Sequence, residues 1–215
     1  MSSLLDVIKV GLCDYQKAWD WQRQLHAARR ANDIPDTLLL LQHPSVYTFG
    51  KNANKENLID SKDALVIQSD RGGDITWHGP GQLVGYPIIN LKEHKTSASW
   101  YMRNLEEVII RCLKDYDISA SRIEKLTGVW IGNEKIAAMG VRLSRWITMH
   151  GFALNIAPDL SYFNGMIPCG IKDKGVTSIK KQLGKEPDFD EVQNCIIEHF
   201  KTIFNFDEIQ HNDLV

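Results

Sequence analysis

The chain has almost no net charge: 25 Lys and Arg stand against 27 Asp and Glu, leaving −2 over 215 residues. Nucleic-acid binders carry a basic excess, so nucleic acid is not expected as a partner. No apolar run approaches the roughly 20 residues a membrane helix needs. Residues 1–12 interrupt their apolar positions with Asp6 and Lys9, and they lack a basic start followed by a small-residue cleavage site. Neither a membrane anchor nor a secretory signal is therefore expected. Cysteine is scarce, at positions 13, 112, 169 and 195, with no close Cys pair and no His-x-x-x-His grouping. A chain of this length does not need disulfide staples, so the expectation is free thiols in a cytoplasmic protein, with no metal and no cofactor. Linkers, low-complexity tracts and internal repeats are missing too, which leaves one domain over residues 1–215.

What is present is 43% hydrophobic residues, enough for a substantial core, arranged in alternating helical and strand periods. Asp14 is placed to cap a helix over residues 15–31, with Ala18, Trp21, Leu25 and Ala28 as its apolar stripe. Residues 37–41 and 45–49 read as strand, turn and strand, and residues 65–67, 75–77 and 83–91 continue the series. Tyr101, Leu105, Val108 and Cys112 step by four, three and four, which predicts a second amphipathic helix with Cys112 buried. Residues 129–131 and 135–139 flank a Gly132-Asn133 turn as a hairpin, and residues 146–156 form a longer strand. Gly151, inside that strand, marks either a bulge or a close backbone approach. A last helix is expected to open at Asp190, with Gln193 completing a capping box and Val192, Ile196, Phe200 and Ile203 facing inward. The pattern predicts an α/β (α+β) domain, a mixed β-sheet flanked by helices.

The densest signal is Arg71-Gly72-Gly73-Asp74-Ile75-Thr76-Trp77-His78-Gly79-Pro80-Gly81. Four glycines and a proline in eleven residues preclude regular helix or central strand. Spacing alone admits two readings, a wall where backbone amides, Arg71 and His78 meet a ligand, and a pair of ordinary hairpin turns. Cys169 sits in Pro168-Cys169-Gly170, within an irregular stretch rather than on an apolar stripe. A nucleophilic role would require a neighbouring cation or base, since an ordinary thiol is only roughly a few per cent thiolate at neutral pH. Lys135, opening its strand after a turn, is the candidate partner; a buried loop thiol and a solvated lysine remain the plainer alternative.

Taken in order, these segments resemble a known family. Arg71-Gly72-Gly73, His78-Gly79-Pro80-Gly81-Gln82, Gly128-Val129-Trp130-Ile131, Lys135-Ile136-Ala137-Ala138-Met139-Gly140, His150-Gly151-Phe152-Ala153-Leu154-Asn155 and Pro168-Cys169-Gly170 resemble the signatures of the lipoate-biosynthesis octanoyltransferases, the LipB family. The resemblance covers about residues 34–180, and several separated motifs in order are far more specific than any one of them.

The resemblance implies the catalytic-domain fold of lipoate and biotin protein ligases. It also implies transfer of an octanoyl group from octanoyl-acyl carrier protein to lysines of lipoyl domains, in 2-oxoacid dehydrogenases and the glycine-cleavage H protein. Cys169 matches the nucleophile and Lys135 the lysine that lowers its pKa. Arg71, Gly72, Gly73, Asp74, Ile75, Thr76, Trp77 and His78, then Ala138, Met139 and Gly140, then Gly151, Phe152 and Ala153, match the segments lining the acyl site. Two departures stand out: Met139 where a branched aliphatic residue is expected, and Ile171-Lys172-Asp173 after Gly170. The chemistry would pass through an acyl-cysteine thioester without ATP, with backbone amides of Gly72-Gly73 or of Cys169-Gly170 at the oxyanion. His78 and His150 are read as pocket-shaping. Lys172, Lys174, Lys180, Lys181 and Lys185 form either a docking surface for the acidic carrier or a solvated charged face. An ATP-dependent ligase, a thiol hydrolase and a non-catalytic binding module are the rival classes.

Overall fold

A computed structural model describes residues 3–167 and 174–212. The chain begins with β1 (Leu4–Leu12), α1 (Tyr15–Ala31), β2 (Asp36–Gln42), β3 (Val46–Phe49) and β4 (Leu65–Gln68). It continues through β5 (Thr76–His78), β6 (Gln82–Ile88), α2 (Ala98–Asp115), β7 (Ser121–Ile123) and β8 (Leu126–Ile131). Then come β9 (Glu134–Ser144), β10 (Ile147–Asn155), β11 (Gly175–Val176), α3 (Ile179–Leu183), α4 (Phe189–Phe204) and β12 (Glu208–His211).

Among the described residues the strands form two sheets. The larger runs β12-β1-β2-β6-β10-β9-β8-β7 with β11 added beside β9, and the smaller runs β4-β3-β5. The large sheet is mixed: β1 is parallel to both β2 and β12, β11 is parallel to β9, and β6, β10, β9 and β8 run antiparallel in turn. This is the mixed α/β sheet that the periodicities predict. The expected hairpin around Gly132-Asn133 forms as β8 and β9, whereas the earlier short runs do not pair with their chain neighbours. β2 and β3 join different sheets although a short turn links them, and β5 pairs with β3 while β6 pairs with β2 and β10.

The central strand explains itself. Leu38, Leu39, Leu40 and Leu41 are each 1% exposed or less. Leu38 and Leu40 face one side, Leu39 and Leu41 the other, because strand side chains alternate. An unbroken apolar run is what a strand covered on both faces needs. On one side α2 and α4 pack together, Tyr101, Leu105, Val108 and Cys112 meeting Val192, Ile196, Phe200 and Phe204, all but fully buried. Each such large apolar side chain contributes about 1.5–3 kcal/mol by leaving water. On the other side lies α1.

Helix α1 spans the predicted residues, yet its buried face is rotated from the expected stripe. Tyr15, Ala18, Trp19, Gln22 and Arg29 are buried, while Trp21, Leu25 and Ala28 are half-buried. The Asp14 side chain makes no capping hydrogen bond; its carbonyl accepts from Ala18 instead. Helix α4 likewise starts two residues earlier than predicted, at Phe189, because Asp188 rather than Asp190 is the cap, accepting from the backbone amides of Asp190 and Glu191. Asp188→Ala should cost about 1 kcal/mol, the usual loss of such a cap, read as a lower urea midpoint with an unchanged slope.

Candidate active site

Residues 69–74 leave β4 and lie across β9, fastened by their backbone and by one side chain. Gly72 N–H donates to Val141 O at 2.9 Å, and Ser69 N–H to Phe49 O at 2.8 Å. Arg71, 7% exposed, turns its guanidinium onto β3: Nη2 donates to Thr48 O at 2.6 Å and Nε to Thr48 Oγ1 at 3.1 Å. Asp74 closes the loop from below, accepting from the Ile75 amide at 2.7 Å and from Asn57 Nδ2 at 2.7 Å. The approach of loop to sheet is close enough that a Cβ on Gly140 would lie 3.0 Å from Gly72 O and 3.3 Å from Arg71 Nη1. Gly151 makes a second close approach, not a bulge: a Cβ there would lie 2.2 Å from Gly85 O.

This arrangement leaves a cavity of about 440 Å³ between the loop and strands β6, β9 and β10. Small-molecule sites occupy roughly 300–1,000 Å³. The cavity brings together Lys135, Arg71, Gly72, Gly73, Asp74, Ile75, Thr76 and His78 with Ala138, Met139, Gly140, Gly151, Phe152 and Ala153. Trp77 is the exception. Strand alternation sends Thr76 and His78 to the cavity and Trp77 to the other face, where it stacks on Tyr162 at 4.9 Å and packs with Tyr47, Phe49 and Met166. Tyr15, Val84, Tyr86, Trp130 and His150 also line it; Trp130 and His150 fall in segments that carry the resemblance, while Tyr15, Val84 and Tyr86 have no such signal in the sequence.

Pro168 to Asp173, with Cys169, Gly170 and Lys172, lie outside the described residues. The flanks of that segment are described. Met166 before it and Lys174, Gly175 and Val176 after it all line the cavity. β11 pairs with β9 so that Val176 stands opposite Lys135, and Thr177 N–H donates to Lys135 O at 3.0 Å. Lys135 is half-buried, with Nζ 4.7 Å from the centre of the Trp130 ring. Lys174 bonds Asn133, Lys180 pairs with Glu186 and Lys181 with Glu134, so these predicted basic residues are tied to neighbours of their own.

The cavity also has a polar, histidine-rich part. His78 Nδ1 donates to Gln82 Oε1 at 2.8 Å, while Gln82 Nε2 donates to Asn155 Oδ1 at 2.9 Å and Asn155 Nδ2 to Thr177 O at 3.0 Å. A buried chain of side chains thus links β5, β6 and β10 to the backbone beside Lys135. Burial, reinforced by neighbouring His43, pushes His78 well below its ordinary pKa. His43 is itself pushed down to about 4 by burial; it holds Cys13 O and Tyr86 Oη at 2.7 Å each. His150 sits in the left-handed region at φ 55°, with its amide on Gln22 Oε1 and Nε2 on Asp70 Oδ1, 2.7 Å each. Burial lowers its pKa against the opposing pull of Asp70. Asp70 also holds Arg142.

Such a site suits a linear apolar chain ending at a polar reacting group. Its walls carry small and apolar residues from β9 and β10, and its polar part adds no formal charge from the histidines at neutral pH.

Similarity to known proteins follows the same lines. Residues 14–201 match the family described as the lipoyl protein ligase A/B catalytic domain. An octanoyltransferase of Solibacter usitatus is 50% identical over 205 residues, covering 93% of this chain and 92% of that protein. One of Alkaliphilus metalliredigens is 44% identical over 213 residues, with 96% and 98% covered. Among solved structures, a lipoate-protein ligase A bound with ATP superposes with a TM-score of 0.75 at 14% identity, covering 100% of this chain and 90% of that one. Biotin protein ligase from Aquifex aeolicus, in complex with biotin and ATP, gives 0.55 at 16%, covering 95% and 71%. At those identities the structural likeness carries the fold alone, and it is the expected one.

Proposed function

The chain belongs to the lipoyl protein ligase A/B catalytic-domain family, and from that premise we propose that it carries octanoyl groups from an acyl carrier protein to lipoyl-domain lysines through a thioester on Cys169. It is an octanoyl-transferring acyltransferase. One observation carries the cysteine route: the described residues on both sides of Cys169 line the cavity that also holds Lys135.

In the first half-reaction Lys135 takes the Cys169 proton and the thiolate attacks the donor's thioester carbonyl. A new carbon–sulfur bond forms, and the carrier's thiol leaves with a proton returned from Lys135. In the second, the acceptor lysine amine attacks the acyl-Cys169 carbonyl, a carbon–nitrogen bond forms, and the Cys169 thiol is released. Thioester exchange is nearly isoenergetic and amide formation is downhill, so no nucleotide is consumed. The Gly72 amide is already engaged by Val141 O. Of the two candidate oxyanion sites, the Gly72-Gly73 loop can therefore offer only Gly73, which favours the Cys169-Gly170 amides. Lipoyl domains of 2-oxoacid dehydrogenases and the glycine-cleavage H protein are the acceptors in this reading. The setting is a reducing cytoplasm, and no described helix is long and apolar enough to cross a membrane.

Intact-protein mass spectrometry tests it. Mixed with octanoyl-acyl carrier protein and no ATP, the chain should gain one octanoyl mass, lose it on addition of a lipoyl domain, and gain none as Cys169→Ser. Transfer that appears only with ATP would move the reading to an adenylating ligase.

A further inference from the structure

Where α2 and α4 pack together, three donor side chains of different chemistry come to one point, and none of them lines the cavity. Cys195 and His199 are four residues apart on α4, which puts them on one helix face. Asp115 ends α2. His199 Nε2 lies 2.7 Å from Asp115 Oδ2, and Cys195 Sγ lies 3.5 Å from the same oxygen. The sulfur, the imidazole nitrogen and the carboxylate oxygen all fall within 4.8 Å of one another.

We propose that Asp115, Cys195 and His199 bind a divalent transition-metal ion, with zinc the best fit. Three observations converge on this. A thiolate, an imidazole and a carboxylate form a mixed soft and borderline donor set, which suits Zn²⁺ and disfavours Mg²⁺ and Ca²⁺, both of which select all-oxygen cages. The gaps between the donor atoms are those that a tetrahedral ion with metal–ligand bonds of about 2.0–2.3 Å spans after small rotations. The carboxylate stands at the C-terminal end of α2, the negative end of that helix dipole, and Glu191 one turn before Cys195 adds negative charge. Asp115 is exposed while Cys195 and His199 are half-buried, so the fourth position opens to solvent and water.

On binding, the Cys195 thiol gives its proton to solvent, and His199 presents its Nε2 lone pair with the N–H on Nδ1. The hydrogen bonds to Asp115 Oδ2 are exchanged for metal–ligand bonds. The ion then clamps the end of α2 to the middle of α4. Lys114, exposed beside Asp115, is an opposing charge, and its flexible stem lets it swing away. The sequence carries the signal as Cys195-Ile196-Ile197-Glu198-His199, a Cys-x-x-x-His spacing that a search for paired histidines passes over.

The test uses untagged Cys169→Ser protein, so that the nucleophile contributes no thiolate. Titrated with Co²⁺, it should show one saturable equivalent, with a near-ultraviolet thiolate-to-cobalt band that Zn²⁺ bleaches by displacement. Cys195→Ser should remove the band. His199→Ala and Asp115→Asn, at accessible positions where folding is not at stake, should each weaken binding by at least about tenfold, since even outer partners of a ligand are worth that much. Zinc at a hundredfold excess over its Kd should raise the thermal midpoint by at least about 5 °C. A cobalt band that survives Cys195→Ser, equal affinity in all variants, or the absence of one saturable equivalent would overturn the site.

Discussion

Lys135→Ala should slow octanoyl transfer at pH 7 by about 10²- to 10⁴-fold, the range a positioned proton acceptor supplies. In the proposed mechanism the lysine is what ionises the nucleophile, and a thiol without such a cation has the ordinary pKa of about 8.5 and is only roughly a few per cent ionised at neutral pH. The variant's rate should then climb about tenfold per pH unit until it levels near that value, while the unaltered enzyme is flatter over the same interval. Lys135→Arg separates the two duties. It keeps a positive charge that favours the thiolate but cannot accept a proton, so acylation should recover more than transfer to the acceptor amine does. The strand supplies the reason for expecting so large an effect: Lys135 is pinned by the pairing of β9 with β11 and by the Thr177 amide on its carbonyl, with its amine over Trp130. A Lys135→Ala rate within about threefold of the original, with an unchanged pH profile, would remove the lysine from the chemistry.

Asp36→Ala should destabilise the fold by about 3–5 kcal/mol, the cost of stranding one partner of a buried ion pair. Asp36 is 4% exposed, and it accepts from Arg29 Nε at 2.7 Å, His94 Nε2 at 2.7 Å and the Asn90 amide at 2.8 Å. Arg29 would keep only Asn32 and the half-exposed Glu93. Replacing both members with apolar residues of similar volume, as in Arg29→Met with Asp36→Leu, should recover much of the loss. The pH dependence carries its own sign. Burial alone would raise the Asp36 pKa, but the hydrogen bonds from His94, Arg29 and Asn90 and the Arg29 charge outweigh it and hold the group below its ordinary 3.8. The stabilisation is therefore complete above about pH 4 and fades as pH falls through the lowered folded value, a loss that Asp36→Ala should not show. Urea melts of both proteins between neutral and acid pH measure it.

The sequence was most legible where one face of an element meets one surface. On α2, Tyr101, Leu105, Val108 and Cys112 fall on the buried side as their spacing predicts, because that helix lays a simple apolar stripe on the sheet. On α1 the same rule found Ala18 but missed how far the buried face is rotated from the predicted stripe. The buried face carries Gln22 and Arg29, and their burial is matched by the His150 amide, 128 residues away, and by Asp36. Periodicity sees polarity but not a distant partner. The inner strands and the β8–β9 hairpin were legible, while β1, β7, β11 and β12 were not read as strands, and nothing near residues 42–46 tells β3 to leave the sheet of β2. At the site, the glycine loop, Lys135 and the two glycine-bearing strands were found through their motifs. Trp77 was misplaced because a matched segment says nothing of which face each member takes. Gln82 and Asn155, buried links between His78 and the Thr177 carbonyl beside Lys135, carry no individual signal in the sequence because side-chain amides are ordinary surface groups until a network buries them.

The parallel pairing of β1 with β12 has a temporal side. Leu4 to Val7 sit opposite Glu208 to His211, and the Ser3 amide donates to Asp207 Oδ2 across a sequence separation of 204 residues. During synthesis β1 emerges well before β12 and can engage β2 once α1 has crossed over, but its outer edge must wait for a partner 204 residues further along the chain. Until then a nascent chain displays an unpaired row of amides and carbonyls, open to a neighbouring strand on the same messenger. Closing that edge is the slowest kind of contact to form, because the loop it closes is so long.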